Sequence, residues 1–327
     1  MRHSTGVVIL ADIEAAAERI RPFVVRTPLE RSPALSRNCE ADVWLKFECF
    51  QATGSFKVRG ALNALLQLDG ASRVVTASAG NHGLGVARAA AVLGVSATVV
   101  LPETASPAKI DALRQARVEL ILTGDTYDEA EAAAHDLARE RGLDFISPYN
   151  DPRVIAGAGT IALEVLQDLP EARVLVVPVG GGGLIGGVGL AVHALNPEAA
   201  VYGAQSEASP AMQAALAHGH IVPVEVRPSL ADGLAGNIES DSVTLQLAQR
   251  YVRQVALVTE PEIADAMGWL VEHEHALVEG SAAVGVAALL TRRLVVDGPT
   301  VVLLTGRNVT LSGGRFSTLL TPHVAAS

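Results

Sequence analysis

Short β-branched runs recur along this chain, and a stretch of helical periodicity follows nearly every one. "ADVWLKFE" (41–48), "RVVTAS" (73–78), "ATVVLP" (97–102), "VELILTG" (118–124) and "DFISP" (144–148) read as strands. So do "RVLVVPVG" (173–180), "AVYGAQS" (200–206), "QVALVTE" (254–260) and "TVVLLTG" (300–306). Between them lie amphipathic segments such as 125–142 and 261–280. Such alternation predicts an α/β fold of parallel sheets with helices on both faces. The spacing splits the strands into two sheets. Four tightly packed strand–helix units fall between Arg73 and Ser147, and longer units begin near Asp151. A small inserted domain is therefore expected at 73–147, within a larger domain made of 1–72 and 148–327; 327 residues suffice for both.

Composition removes several function classes. The formal charge is −10, from 25 basic and 35 acidic residues, and no stretch concentrates Lys and Arg. Nucleic acid and anionic membrane are poor partners for such a surface. The first apolar run is too short for a secretory signal, and Gly183–Leu195 is too short and too glycine-rich to span a bilayer. Cys39 and Cys49 make neither a disulfide framework nor a metal site. A cytoplasmic protein with a small-molecule partner is expected.

The chain has 22 arginines but only three lysines: Lys46, Lys57 and Lys109. Lys57 lies in "QATGSFKVRG", behind a glycine turn and two residues before Arg59. Arginine stays protonated, whereas a lysine amine can lose its proton and attack a carbonyl, so a Schiff-base lysine is not replaceable by arginine. Three turns sit at strand ends, where open α/β sheets bind ligands. "VVPVGGGGLIGG" (176–187) places Gly180, Gly181, Gly182 and Gly183 before a helix, a cup of N–H groups suited to a monophosphate. No Lys-Ser/Thr follows as in a Walker A loop, and no acidic residue follows a second strand as in a dinucleotide fold. "TASAGNHGLGVA" (76–87) offers Ser78, Asn81 and backbone amides to a carboxylate, while His82 taken alone reads as structural. "LLTGRN" (303–308) ends the last strand with Thr305 at its tip. An amine, a phosphate cup, a carboxylate cup and a hydroxyl are what pyridoxal phosphate chemistry on an amino acid requires.

With "KFECFQATGSFKVRGA", "SAGNHGLGVA", "VIAGAGTIALEV", "VPVGGGGLIGG" and "ADGLAG", the chain resembles the fold-type II (tryptophan synthase β-like) pyridoxal-phosphate enzymes nearly end to end. The branch it resembles holds the serine/threonine dehydratases and serine racemases. The resemblance implies that Lys57 carries the cofactor as a Schiff base and Phe56 stacks on its ring. It implies that Asn81 bonds the ring hydroxyl, Gly180 to Gly183 cradle the phosphate and Thr305 faces the pyridine nitrogen. Ser78, Asn81 and His82 would form the substrate-carboxylate loop. A homodimer is also implied.

Details within the motifs narrow the expected reaction. Val58 stands where threonine and cysteine synthases typically have Asp, and Ala79 where the racemases of this branch carry a second serine. β-Elimination from a β-hydroxy amino acid such as threonine or serine is the leading expectation, ahead of racemisation. A ligand-binding relative without turnover ranks last, because Lys57 has little use in binding alone. Arg307 stands where glycine is common; near the substrate's distal end it would favour a 3-hydroxyaspartate. Gln205 occupies the place where many relatives begin a cation site with glutamate; Glu207 could substitute, and no metal is assigned. No regulatory domain is expected after Ser327.

Overall fold

The computed structural model describes residues 8–69, 73–116 and 118–309. Ten strands form two sheets among them: β1 Leu29–Arg31, β2 Val43–Lys46, β3 Arg73–Ala77, β4 Ser96–Leu101, β5 Glu119–Leu122, β6 Asp144–Phe145, β7 Val174–Pro178, β8 Ala200–Ser206, β9 Gln254–Val258 and β10 Thr300–Leu303. The larger sheet runs β1-β2-β10-β7-β8-β9 and the smaller β5-β4-β3-β6. Every pairing is parallel except β1 with β2. All nine expected strands are present. The unexpected one, β1, is a three-residue antiparallel edge whose sequence "LER" has no room for a period-2 pattern.

Alternation along the central strands decides which helices they bury. Leu175, Val177, Val301 and Leu303 face one core with the helices Pro152–Asp168 and Gly183–Leu195. Val174, Val176 and Val302 face the other, with Glu260–Glu274 and Gly280–Leu290. The smaller sheet divides likewise. Val75, Ala77 and Val100 pack on the helix Tyr127–Arg141, and Val74 packs with the helices Lys57–Leu65 and Asn81–Leu93. Sheets buried on both faces explain the near-continuous apolar strands of the sequence.

Helix starts differ in a way that matters for function. Ser32, Ser106 and Asp151 cap their helices with side-chain oxygens, each followed by proline in the first turn. The helices beginning at Lys57, Asn81 and Gly183 follow Phe56, Gly80 and Gly182 and have no side-chain cap. Their first N–H groups remain available to a ligand.

Candidate active site

Those three uncapped helix starts meet at one cavity of about 910 Å³. Its wall is made by the loops after β3, β6, β7 and β10 and by the turn at Asp232–Gly236. Phe56, Lys57, Ser78, Asn81, His82, the four glycines 180–183 and Thr305 all line it. These residues come from segments up to 249 positions apart, yet the strand ends of two parallel sheets bring them together.

Lys57 is the first residue of its helix, and its Nζ donates to the Pro148 carbonyl at 2.8 Å. Of the three lysines, Lys46 pairs with Glu164 and Lys109 with Asp232. Among the described residues, Lys57 alone has no carboxylate within 4.0 Å. Burial pushes its amine down to about 8, opposed by the negative charge of Glu279. A proton is thus easily lost there, as a nucleophile or base needs. β6 is shorter than the expected 144–148 because the chain turns out of the sheet after Ile146, presenting the Pro148 carbonyl to this amine.

Gly182 has φ +93°, and a Cβ there would meet the Met212 methyl at 2.5 Å and Thr244 at 2.8 Å. A Cβ on Gly181 would lie 2.4 Å from the Tyr149 ring. Only glycine permits this turn. Thr244 Oγ1 donates to the Gly181 carbonyl at 2.7 Å, and Tyr149 Oη accepts from the Glu239 amide at 3.1 Å, so the turn is braced from outside. Thr305 is buried, and its carbonyl accepts from the Phe56 amide at 3.0 Å, locking the two residues in register.

On the other wall, the Gly80 amide donates to Ser78 Oγ at 3.1 Å. Asn81 Nδ2 donates to Glu279 Oε1 at 2.6 Å, and Asn308 Nδ2 donates to Asn81 Oδ1 at 2.7 Å. His82 is buried, and its Nε2 lies 3.1 Å from the Ile146 carbonyl, so that nitrogen carries the proton. Burial, with the nearby Lys57 charge, lowers His82 to about 3, and its bare Nδ1 has no partner among the described residues. A neutral imidazole is the consequence at any ordinary pH.

Arg307 is not brought to the cavity. It is exposed, with its guanidinium 5.2 Å over the Phe50 ring. Gln205 is fully buried, and its Oε1 accepts from the Gln213 amide at 3.1 Å; Glu207 is exposed. Neither offers a buried carboxylate to a cation, and among the described residues no group of three or more His, Cys, Asp or Glu could hold one. No described helix is long and apolar enough to cross a membrane.

Glu279, Tyr149, Asp232 and Asn308 line the cavity but were not expected from sequence. Burial raises Glu279 to about 7, and the nearby Asp232 pushes the same way against hydrogen bonds from Asn81 and Asn308. The only signal for it was "VEG", a carboxylate before a helix-starting glycine, which is too common to single out.

The residues present fit pyridoxal phosphate. Glycines 180–183 form a turn packed too closely on Tyr149, Met212, Thr244 and Leu234 for any Cβ, and among the described residues the amides of Gly180, Gly181 and Gly182 make no backbone hydrogen bond. Phe56 and the buried amine adjoin it in one wall, with the amine 5.3 Å from the ring centre. Residues 20–306 match the sequence profile of the pyridoxal-phosphate dependent enzymes, and the chain belongs to that family; its cofactor is pyridoxal phosphate.

The chain is 44% identical over 306 residues to the L-threonine ammonia-lyase of Thermotoga maritima, covering 93% of this chain and 76% of that protein. Over 311 residues it is 37% identical to the catabolic L-threonine dehydratase of Escherichia coli, covering 93% and 94%. Among solved structures, maize serine racemase superposes with a TM-score of 0.88 at 32% identity, covering 94% and 95%. The processed form of threonine deaminase isoform 2 from Solanum lycopersicum superposes at 0.87 with 31% identity, covering 95% and 91%. The fold is the type II arrangement these proteins share.

Proposed function

We propose that this protein is an ammonia-lyase that converts threonine or serine to a 2-oxo acid and ammonia. The observation that carries the reading is a single buried, carboxylate-free amine in a cavity whose other walls offer two uncapped helix starts. Identity of 37–44% to threonine lyases over nine-tenths of the chain supports it.

Bound pyridoxal phosphate supplies an electron sink that acidifies the Cα–H of an amino acid attached to it. Gly180 to Gly183 bind its phosphate with backbone N–H groups at a helix N-terminus. Phe56 would cover the ring, Asn81 would meet the ring hydroxyl, and the neutral Thr305 hydroxyl would face the pyridine nitrogen. Ser78, Asn81 and the uncharged His82 form the loop that orients the substrate carboxylate, with the dipole of the helix Asn81–Leu93 behind them. Lys57 Nζ removes the Cα proton; at about 8, roughly a tenth of the amine is unprotonated at pH 7. Ala79 has no proton to return to the other face of Cα, which favours elimination over stereoinversion.

The acidic groups around the cavity set its preference for the side chain. Glu279, Asp232 and Asp128 line it, and among the described residues the one cationic side chain besides Lys57, Lys109, is already paired with Asp232. Among the described residues a second substrate carboxylate finds no free cationic partner there, so neutral side chains are preferred over 3-hydroxyaspartate. In the same reading, 73–147 is the small domain carrying the carboxylate loop, and 1–72 with 148–327 the large one. The protein works as a cytoplasmic homodimer, which light scattering and cell fractionation check.

The test is incubation with L- and D-threonine, serine and 3-hydroxyaspartate, following ammonia, 2-oxo acid and enantiomer. Ammonia release from L-threonine or L-serine should dominate, and Arg307→Gly should leave the ranking of substrates unchanged. Enantiomers interconverting faster than ammonia appears would make the protein a racemase instead.

A further inference from the structure

Outside the cavity lining, and joined to the Lys57 helix through Arg59, four charged side chains are packed into the protein. Arg59 is 1% exposed, Glu48 and Lys46 are 0%, and Glu164 is 15%. Arg59 forks onto Glu48, Nε to Oε2 and Nη2 to Oε1, both at 2.8 Å. Its Nη1 reaches Glu164 Oε1 at 2.8 Å, and Lys46 Nζ reaches Glu164 Oε2 at 2.7 Å. Thr27 Oγ1 completes Glu48 at 2.6 Å, and the Thr27 carbonyl accepts from Lys46 at 2.7 Å. Two positive and two negative charges cancel, and they are hydrogen-bonded throughout.

Such a cluster is a poor way to gain stability. Taking four charges out of water is costly, and apolar side chains of similar volume usually serve as well or better. A geometric role accounts for it. Glu48 and Arg59 are eleven residues apart and close the neck of the loop that carries Lys57. The body of that loop is sewn to the end of β10 chiefly by backbone, with Asn308 Nδ2 adding a bond to the Thr53 carbonyl at 2.9 Å. Cys49 N donates to Leu304 O at 2.8 Å, Phe56 N to Thr305 O at 3.0 Å and Arg307 N to Gly54 O at 2.9 Å. Ser55 bridges Gly306 in the same register. The neck, by contrast, is tied by side chains, and Arg59 sits in the first turn of the helix that Lys57 begins, its amide bonded to the Phe56 carbonyl at 3.0 Å.

We infer that Arg59, through its fork onto Glu48, is a positioning residue that fixes where the Lys57 amine stands in the cavity. The inference rests on the reading of Lys57 as the amine that carries the cofactor and removes the proton. A displacement of about 1 Å at a reacting group costs on the order of 100-fold in rate, so a loosened neck acts on turnover and not on substrate capture.

The experiment compares the holoenzymes of Arg59→Lys and of the double variant Glu48→Met with Arg59→Met, which keeps the cluster neutral. The double variant should melt within a few degrees of the native protein. Its kcat should fall on the order of 100-fold with KM changed less than about threefold. Arg59→Lys keeps the charge and lacks the fork, so its kcat should fall as well. In both variants the pH midpoint for labelling of Lys57 by an amine reagent, read by peptide mass spectrometry after cofactor removal, should move. A folded double variant with native kcat and native midpoint overturns the inference. Should that variant not fold, native kcat and midpoint in Arg59→Lys do the same. Borohydride trapping of the cofactor on the Lys46 or Lys109 peptide would instead overturn the role of Lys57, whatever the labelling of Lys57 shows.

Discussion

In the proposed reaction, lysine at 57 and arginine at 59 divide two tasks that share one positive charge. The amine would have to lose its proton at neutral pH, and burial brings it to about 8; the guanidinium would have to stay charged while buried, and its planar fork matches Glu48. Glu279 acts on the first of these. Its charge above about pH 7 holds the Lys57 amine higher than burial alone would. Glu279→Gln removes that charge, so the ammonium form is less favoured and the amine falls below about 8. The acidic limb of the kcat–pH profile should then shift to lower pH, by up to about one unit. An unmoved or rising limb would show that Glu279 does not act on Lys57 through its charge. Sequence exposed Lys57 because lysine is scarce and the turn is glycine-rich. It hid Glu279, whose importance comes only from being folded against Asn81 and Asn308, and it overrated Arg307, because adjacency to Thr305 along a strand end does not decide which side of the turn a side chain takes.

The informative elements are the helix starts. Ser32-Pro33, Ser106-Pro107 and Asp151-Pro152 announce capped helices, whereas Gly80-Asn81 and Gly182-Gly183 announce helices whose N–H groups are reserved for something else. The glycine half of that contrast was read from sequence, as were the nine strands with hydrophobic runs long enough to show a pattern. β1 was not, since its pairing with β2 follows from where the larger sheet needs an edge and not from its three residues. The glycine turn gives the element-scale prediction. Gly181→Ala drives a methyl into the Tyr149 ring, which is braced by Glu239 and cannot simply retreat. Cofactor affinity should drop at least about tenfold, measured by fluorescence titration of the stripped protein. Adding Tyr149→Ala should recover part of it by making room. A Gly181→Ala protein that binds the cofactor normally would mean that the loop has slack that its contacts do not suggest.

At the scale of the whole molecule, the two sheets differ in how they are threaded. The small sheet is local: β3 to β6 all lie between residues 73 and 145. The large sheet is not, for β10, residues 300–303, lies between β2 and β7 near its middle, and its extension through Thr305 holds the loop of Lys57. Synthesis from the N-terminus gives this threading a temporal meaning. A ribosome must translate past residue 303 before the β1–β2 pair can be joined to β7 through β10, so the large sheet stays in two parts, with apolar strand faces uncovered, until its central strand arrives. The small sheet has no such wait. Ribosome-bound chains arrested with residue 260 just outside the exit tunnel should therefore show protease-resistant 73–147 and a cleavable remainder, whereas arrest with residue 309 outside should protect both. Resistance of 174–206 at the earlier arrest point would show that β7 and β8 assemble without the strand that separates them from β2. The lysine-bearing loop, made early, takes its place against β10 only when that last described strand arrives, so the proposed site cannot assemble before residue 303 has been made.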